Sequence, residues 1–161
     1  MAENNRAVVK LKERFADALL ETKEFRGEVT VTVKKEKVLE VLKCLKEDLK
    51  YDFLVDVTAV DYLGQEPRFM VVYQLTSIPN KDKIRVKAPV TEEDCFIDSA
   101  TALWNSADWL EREVYDLMGI KFVNHPNLVR ILMTDDWVGH PLRKDYPVQG
   151  PDREPYKGRL S

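Results

Sequence analysis

The sequence predicts an α+β fold: one domain whose helices pack on a mixed or antiparallel sheet, followed by an extended C-terminal arm. Three observations predict it. Segments with apolar residues at helical spacing alternate with segments of two-residue alternation, in the order helix, strand, helix, three strands, helix. The chain has 161 residues with 44% apolar and 33% charged content, enough for one well-buried core and ordinary for a globular domain. From about Thr134 the composition shifts, and residues 135–161 hold four of the eight prolines and three of the six glycines. The domain is therefore expected over 1–134 and the arm over 135–161.

Taken in order, Ala7 to roughly Glu21 predicts an amphipathic helix, with Val8, Leu11, Phe15, Ala18 and Leu19 on one side. Glu28 to Val33 alternates cleanly and puts Val29, Val31 and Val33 on one face of a strand. Glu36 to Leu49 is helical again, with Val38, Leu42, Leu45 and Leu49 as its buried row. Phe53 to Tyr62 is rich in β-branched and aromatic residues and ends at the turn Gly64-Gln65-Glu66-Pro67, so it pairs with Arg68 to Thr76 as an antiparallel hairpin. After a turn at Ile78 to Asp82, Ile84 to Val90 is a third strand. Its alternation of Ile84, Val86 and Ala88 against Arg85 and Lys87 leaves one face in water. Thr91 to Asp94 begins a connection, and Ser99 to Trp104 forms a short helical turn.

The last helix has readable ends. Asn105 is placed to cap it, with Asp108 reaching back in the manner of a capping box. Ala107, Leu110, Val114, Leu117 and Met118 form its buried stripe, and Gly119 suits the left-handed residue that stops it. Asp108, Arg112 and Asp116 lie four apart, so Arg112 can pair with a carboxylate on either side. Beyond it, His125-Pro126 and Gly139-His140-Pro141 mark turns. Between them Leu128 to Met133 is an apolar segment broken by Arg130. In the arm Leu142, Tyr146, Val148, Tyr156 and Leu160 are too sparse for a core, so it is either disordered or laid along a partner, and their setting among prolines favours the partner.

Composition excludes several classes. The net charge of −3 and the lack of a basic face argue against nucleic-acid binding, and Lys34-Lys35 with Lys37 reads as a solvated turn. No run approaches the length of a membrane span, and the start MAENNRAVVK carries no secretion or transit signal, so a cytosol-like compartment is expected. Cys44 and Cys95 are too few for an iron–sulfur cluster or a structural zinc site and suit small buried side chains. There is no dinucleotide fingerprint, P-loop or nucleophile elbow, so the chain is not expected to bind NADH itself.

Two kinds of chemistry can still be drawn from the stretch between Asp108 and Pro147. Glu113 and Asp116, three apart on one helix, form a candidate acid–base pair, which with His125 would serve a small stand-alone enzyme. His125 and His140 with Glu113 or Asp145 offer two imidazoles and a carboxylate to a metal, although no helical ligand spacing is present. Against both stands an interaction reading. Arg130, Arg143 and Lys144 can grip carboxylates on a neighbour, and Trp137 and Tyr146 are rigid anchors with a polar handle.

The run Glu111-Arg112-Glu113, then Tyr115 to Ile120, His125-Pro126, Arg130-Ile131-Leu132, Trp137, Gly139 to Leu142 and Arg143 to Pro147 resembles the signature of the C subunit of respiratory complex I, the NADH:quinone oxidoreductase. The resemblance implies a non-catalytic, cofactor-free structural subunit of the hydrophilic arm, peripheral to the cytoplasmic side of the cell inner membrane and without a transmembrane segment. It implies that FMN, iron–sulfur clusters and quinone sit on partner subunits. Among these are the quinone-site subunit (D) and the cluster-bearing subunits. The expected partner interface comprises Glu111, Arg112, Glu113, Asp116, His125, Arg130, Trp137, His140, Leu142, Arg143, Lys144, Asp145 and Tyr146. The equivalent subunit of a membrane-bound hydrogenase or of a plastoquinone-reducing complex shares the pattern.

Overall fold

The computed structural model describes residues 5–150. Helix α1 (Arg6–Phe15) starts at Asn5, whose side chain accepts from the N–H of Ala7 and of Val8, and it buries Ala7, Val8, Leu11 and Phe15. It stops short of the expected Glu21. Leu19–Phe25 is instead strand β1, which forms an antiparallel hairpin with β2 (Glu28–Val33). The turn is made by Arg26 and Gly27, both at positive φ (52° and 80°). Helical spacing over 18–21 loses here to pairing with the neighbouring strand, a tertiary gain that local periodicity does not register. Strand β1 lies at the sheet edge and is almost wholly exposed, so it shows little inward alternation.

A short 3₁₀ turn (Lys35–Lys37) leads into α2 (Val38–Glu47), which buries Val38, Val41, Leu42, Cys44 and Leu45. Strands β3 (Phe53–Asp61), β4 (Phe69–Ser77) and β5 (Asp82–Val90) follow as expected, each antiparallel to the next. The five strands run β1-β2-β5-β4-β3, and β2 pairs with β5 in parallel. That parallel pair requires a crossover, which α2 and the β3–β4 hairpin supply. In β3 a bulge at Val55 shifts the phase, so that Leu54 and Val57, three residues apart, both face inward.

One face of the sheet carries the core. Val29, Val31, Val33, Val57, Val71, Tyr73, Leu75, Ile84 and Val86 meet the buried rows of the helices. On the other face Thr30 lies beside Arg85 and Gln74 beside Arg85, giving the wet side that the alternation of β5 predicted. Two further elements went unpredicted. Strands β6 (Phe96–Asp98) and β7 (Lys121–Val123) pair in parallel and bracket helix α3 (Ala107–Met118). Three-residue strands carry too little periodicity to be read locally. After β7 the described chain has turns and bends only.

Leu42 is fully buried on α2 whereas Leu20 is half exposed on β1. Leu42→Ala is expected to cost roughly 2–5 kcal/mol and Leu20→Ala about 0.5 kcal/mol or less, both checked by urea unfolding.

Candidate functional site

The residues singled out by sequence gather around the C-terminal end of α3. The helix begins at Ser106, which makes no side-chain cap, so Asn105 and Asp108 do not form the expected capping box. Gly119 ends it with φ 76°, as expected. The buried row differs from the apolar stripe. Ala107, Glu111, Val114 and Asp116 are buried, while Leu110, Leu117 and Met118 are half-buried. Two carboxylates thus occupy core positions, and each has to be satisfied from within the chain.

Asp116 is satisfied by four donors. Its Oδ2 accepts from the N–H of Ile131 (3.1 Å), Leu132 (2.8 Å) and Met133 (2.9 Å), and its Oδ1 from Arg130 Nη1 (2.8 Å). Burial pushes this carboxyl up. The three backbone N–H groups and the guanidinium outweigh that and hold it below the usual carboxylate range. Arg112, one turn earlier, donates to the carbonyls of Val129 and Arg130 and lies over the Trp109 ring. The expected pairing of Arg112 with Asp108 or Asp116 therefore gives way to a different job. Both side chains grip the backbone of residues 129–133, because that irregular segment has no ladder to satisfy its peptide groups.

Glu111 is fully buried; its Oε1 accepts from the N–H of Ala100 (2.7 Å), and its Oε2 lies 2.6 Å from Ser99 Oγ. Burial pushes its pKa up to about 7. It ties α3 to the loop leaving β6. Glu113, in contrast, is exposed.

Both histidines bind backbone. His125 Nδ1 accepts from the N–H of Asn127, which leaves its proton on Nε2 to be donated to the Asp108 carbonyl (3.1 Å). His140 donates from Nδ1 to the Asp116 carbonyl (2.8 Å), and burial holds its pKa below the ordinary value.

Residues 137–146 lie on the chain's own domain. An α-helix leaves its last four carbonyls without helical partners. In α3 the Tyr115 carbonyl takes the N–H of Gly119, and the Asp116 carbonyl takes His140. The Leu117 carbonyl takes the N–H of Leu142, and the Met118 carbonyl takes Arg143 Nε (2.6 Å). A Cβ on Gly119 would fall 2.5 Å from His140 Cδ2, so this approach needs glycine for space as well as for φ. Tyr146 donates to the Val138 carbonyl and lies over Gly139, where a Cβ would meet its ring at 2.8 Å.

A further charge cluster was not foreseen. Arg68, its side chain 4% exposed, uses all five N–H donors. Nε and Nη2 take the two oxygens of Asp61 at 3.0 Å each. Nη1 takes Glu92 (2.6 Å), and Nη1 and Nη2 take Asp145 (3.1 and 2.7 Å). Asp61 also accepts from the Lys144 N–H, and the Phe69 ring lies within reach of the Arg68 and Arg143 guanidiniums. Hydrogen bonding to Arg68 holds the carboxyls of Asp61 and Asp145 below their usual range, against the opposing effect of burial. A signal existed: Asp61 continues the inward series Val57, Ala59 of β3, a charge on a core phase.

The expected sites are therefore rearranged. Glu113, Asp116 and His125 share no hydrogen bond, so the acid–base constellation is not assembled. Among the described residues no three His, Cys, Asp or Glu side chains are placed to hold a metal. Of the thirteen interface candidates, Glu111 and Asp116 are fully buried, and the His125 side chain is too. Arg130, His140, Arg143, Asp145 and Tyr146 hold the chain to itself. Arg112, Trp137 and Leu142 lie in the same shell, with Lys144 exposed. Tyr156 and Leu160 lie outside the described residues. Around this shell Trp109, Val129, Leu132, Val138 and Leu142 are exposed apolar side chains.

Fold and site define a small α+β module most of whose signature charges are consumed in internal hydrogen bonds. Residues 31–152 match the family model of the respiratory-chain NADH dehydrogenase 30 kDa subunit, and the chain belongs to that family. It is 84% identical over its full length to the C subunit of the NADH-quinone oxidoreductase of Citrifermentans bemidjiense, covering all of that protein. It is 72% identical to the C subunit of the Geobacter sulfurreducens enzyme, again with both chains fully covered. Among solved structures, the trypsin-resistant fragment 1–134 of Nqo5 superposes with a TM-score of 0.67 at 35% identity, over 74% of this chain and 97% of the fragment. The archaeal membrane-bound sulfane sulfur reductase complex contains the same fold, with a TM-score of 0.78 at 22% identity over 91% of this chain and 86% of its counterpart.

Removing one member of a buried charge pair strands the other, so Asp116→Ala is expected to cost roughly 3–5 kcal/mol in urea unfolding. The depressed carboxyls of Asp61, Asp116 and Asp145 contribute stability above the unfolded carboxylate range, about pH 4, and lose it as pH falls through their folded values. Glu111 has the opposite sign. Its contribution is whole below about pH 4.5 and is lost as pH rises through about 7. Glu111→Gln is accordingly expected to flatten stability between those two values, read from melting temperatures across the pH series.

Proposed function

We propose that this chain, a peripheral-arm subunit of an NADH-quinone oxidoreductase, works as a cofactor-free organiser that holds its neighbours in register and makes or breaks no bond itself. The observation that carries this reading is where the signature residues spend their charge. Asp116, Arg112, Arg130, His125, His140 and Arg143 are bound to backbone or to one another. What they build is a rigid shell around α3 that displays Trp109, Val129, Leu132, Val138 and Leu142. Exposed aromatic and aliphatic groups beside arginines have the composition of a docking surface.

On this reading the FMN, the iron–sulfur clusters and the quinone site belong to partner subunits, and electron transfer gains from fixed distances between them. The quinone-site subunit (D) and the cluster-bearing subunits are the neighbours this surface serves. The reading puts the chain at the cytoplasmic side of the inner membrane; among the described residues no helix is long and apolar enough to cross one. The isolated chain should oxidise no NADH. The names of the relatives support the NADH-quinone oxidoreductase over a hydrogenase or plastoquinone-reducing complex.

Trp109 is 64% exposed and Leu132 56% exposed, so replacing them spares the core. Trp109→Ala with Leu132→Ser is expected to leave the melting temperature of the chain within a few degrees. Recovery of the other hydrophilic-arm subunits in a co-expression pull-down should fall at least tenfold. Recovery at the unmodified level would remove this surface from the interface.

A further inference from the structure

We infer that residues 137–146 form a strap that closes on the chain's own domain, that Arg68 locks it shut, and that closure presents the docking surface ready-made. The aliphatic side chains of the strap, Val138 and Leu142, stay exposed, so burial of greasy surface does little to hold it. Polar geometry holds it. From one side it satisfies the orphan carbonyls of Asp116, Leu117 and Met118 with His140, Leu142 and Arg143, and a cation there also opposes the negative end of the helix dipole. From the other side Asp145 and the Lys144 N–H enter the Arg68–Asp61 cluster, 77 and 83 residues away in sequence.

The lock has one key residue. Asp61 alone leaves Arg68 with donors unfilled, and a guanidinium so deeply buried needs every donor met. Glu92 takes one and Asp145 takes two. Opening the strap would leave Arg68 Nη1 and Nη2 short of acceptors, would uncap the Leu117 and Met118 carbonyls of α3, and would leave the Asp116 carbonyl with only its longer bond from Arg130. Closure therefore follows from the needs of the domain as much as from those of the strap. The two glycines at its contact points, Gly119 and Gly139, have no Cβ to hold it off.

The closed strap carries Val138 and Leu142 exposed, anchored on the same last turn of α3 that binds the backbone of Leu132. Its use in docking rests on the function proposed above; its closure does not. A surface already formed spares the complex the ordering cost that a tail folding on its partner would meet.

Amide hydrogen exchange on the full-length chain tests this residue by residue. Asp145 is half exposed, and Arg68 keeps Asp61 and Glu92 when it is lost, so Asp145→Ala leaves a folded domain. The Leu142 and Lys144 amides should be protected in the unmodified chain. They should exchange at least tenfold faster in Asp145→Ala and in Arg68→Met, with the Val71 and Tyr73 amides of the sheet unchanged in Asp145→Ala. Unprotected Leu142 and Lys144 in the unmodified chain, or unchanged protection in Asp145→Ala, overturns the strap. In co-expression with the other hydrophilic-arm subunits, Asp145→Ala should reduce their recovery several-fold. An open strap with full recovery overturns the ready-made surface and leaves the interface standing. Full recovery with Trp109→Ala and Leu132→Ser fails the interface and leaves the exchange result standing.

Discussion

A charge removed from water has to be met by partners, and the last third of the described chain is shaped by that requirement. Two buried ions set it. Asp116 draws three consecutive peptide N–H groups and Arg130 around the end of α3, and Arg68 draws Asp145 and Glu92 to the place where Asp61 already waits. Residues 124–150 contain no helix or strand, so their own backbone supplies only isolated turn hydrogen bonds. Each irregular peptide group left in the interior would cost free energy, and these side chains supply what a ladder would have supplied.

The same requirement explains why a signature so rich in Asp, Glu, Arg and His need not be a reaction centre. Chemistry needs groups left partly unsatisfied and facing a pocket. Asp116, Arg68 and His125 are instead saturated by internal partners, and His140 is tied to the Asp116 carbonyl through Nδ1. Glu111, among the described residues the one carboxyl whose pKa is raised toward neutrality, sits in the core against Ser99 and Ala100. A module of this kind contributes shape, which is what the organising role proposed above asks of it.

Much of the fold was legible because its signals are local. The alternation of Glu28–Val33, the hairpin about Gly64 and the left-handed Gly119 each depend on a few adjacent residues, and each appears where expected. Strand β1 was hidden because helical spacing runs on past Phe15, and only the edge of β2 turns that segment into a strand. Arg112 was legible as a charged residue on the right face, but its acceptors are carbonyls 17 and 18 residues away, and no i,i+4 rule reaches them. The arm was legible as too poor in apolar groups to make its own core. That it closes on its own domain through residues 140–146 was not.

From its order of residues alone the chain determines the α+β class, the wet and dry faces of its strands, where α3 stops, and the family signature. The first three follow from steric preferences and periodicities that act over a turn or two of chain; the signature is a match of residue identities to a family. Only the tertiary structure decides that Glu111 and Asp116 point inward, that β2 and β5 run parallel, and that Arg68 reaches Asp145 across 77 positions. The reason is one of range: a buried ion's partners are selected by what the fold brings within about 3 Å, and separation along the chain leaves no trace of that distance.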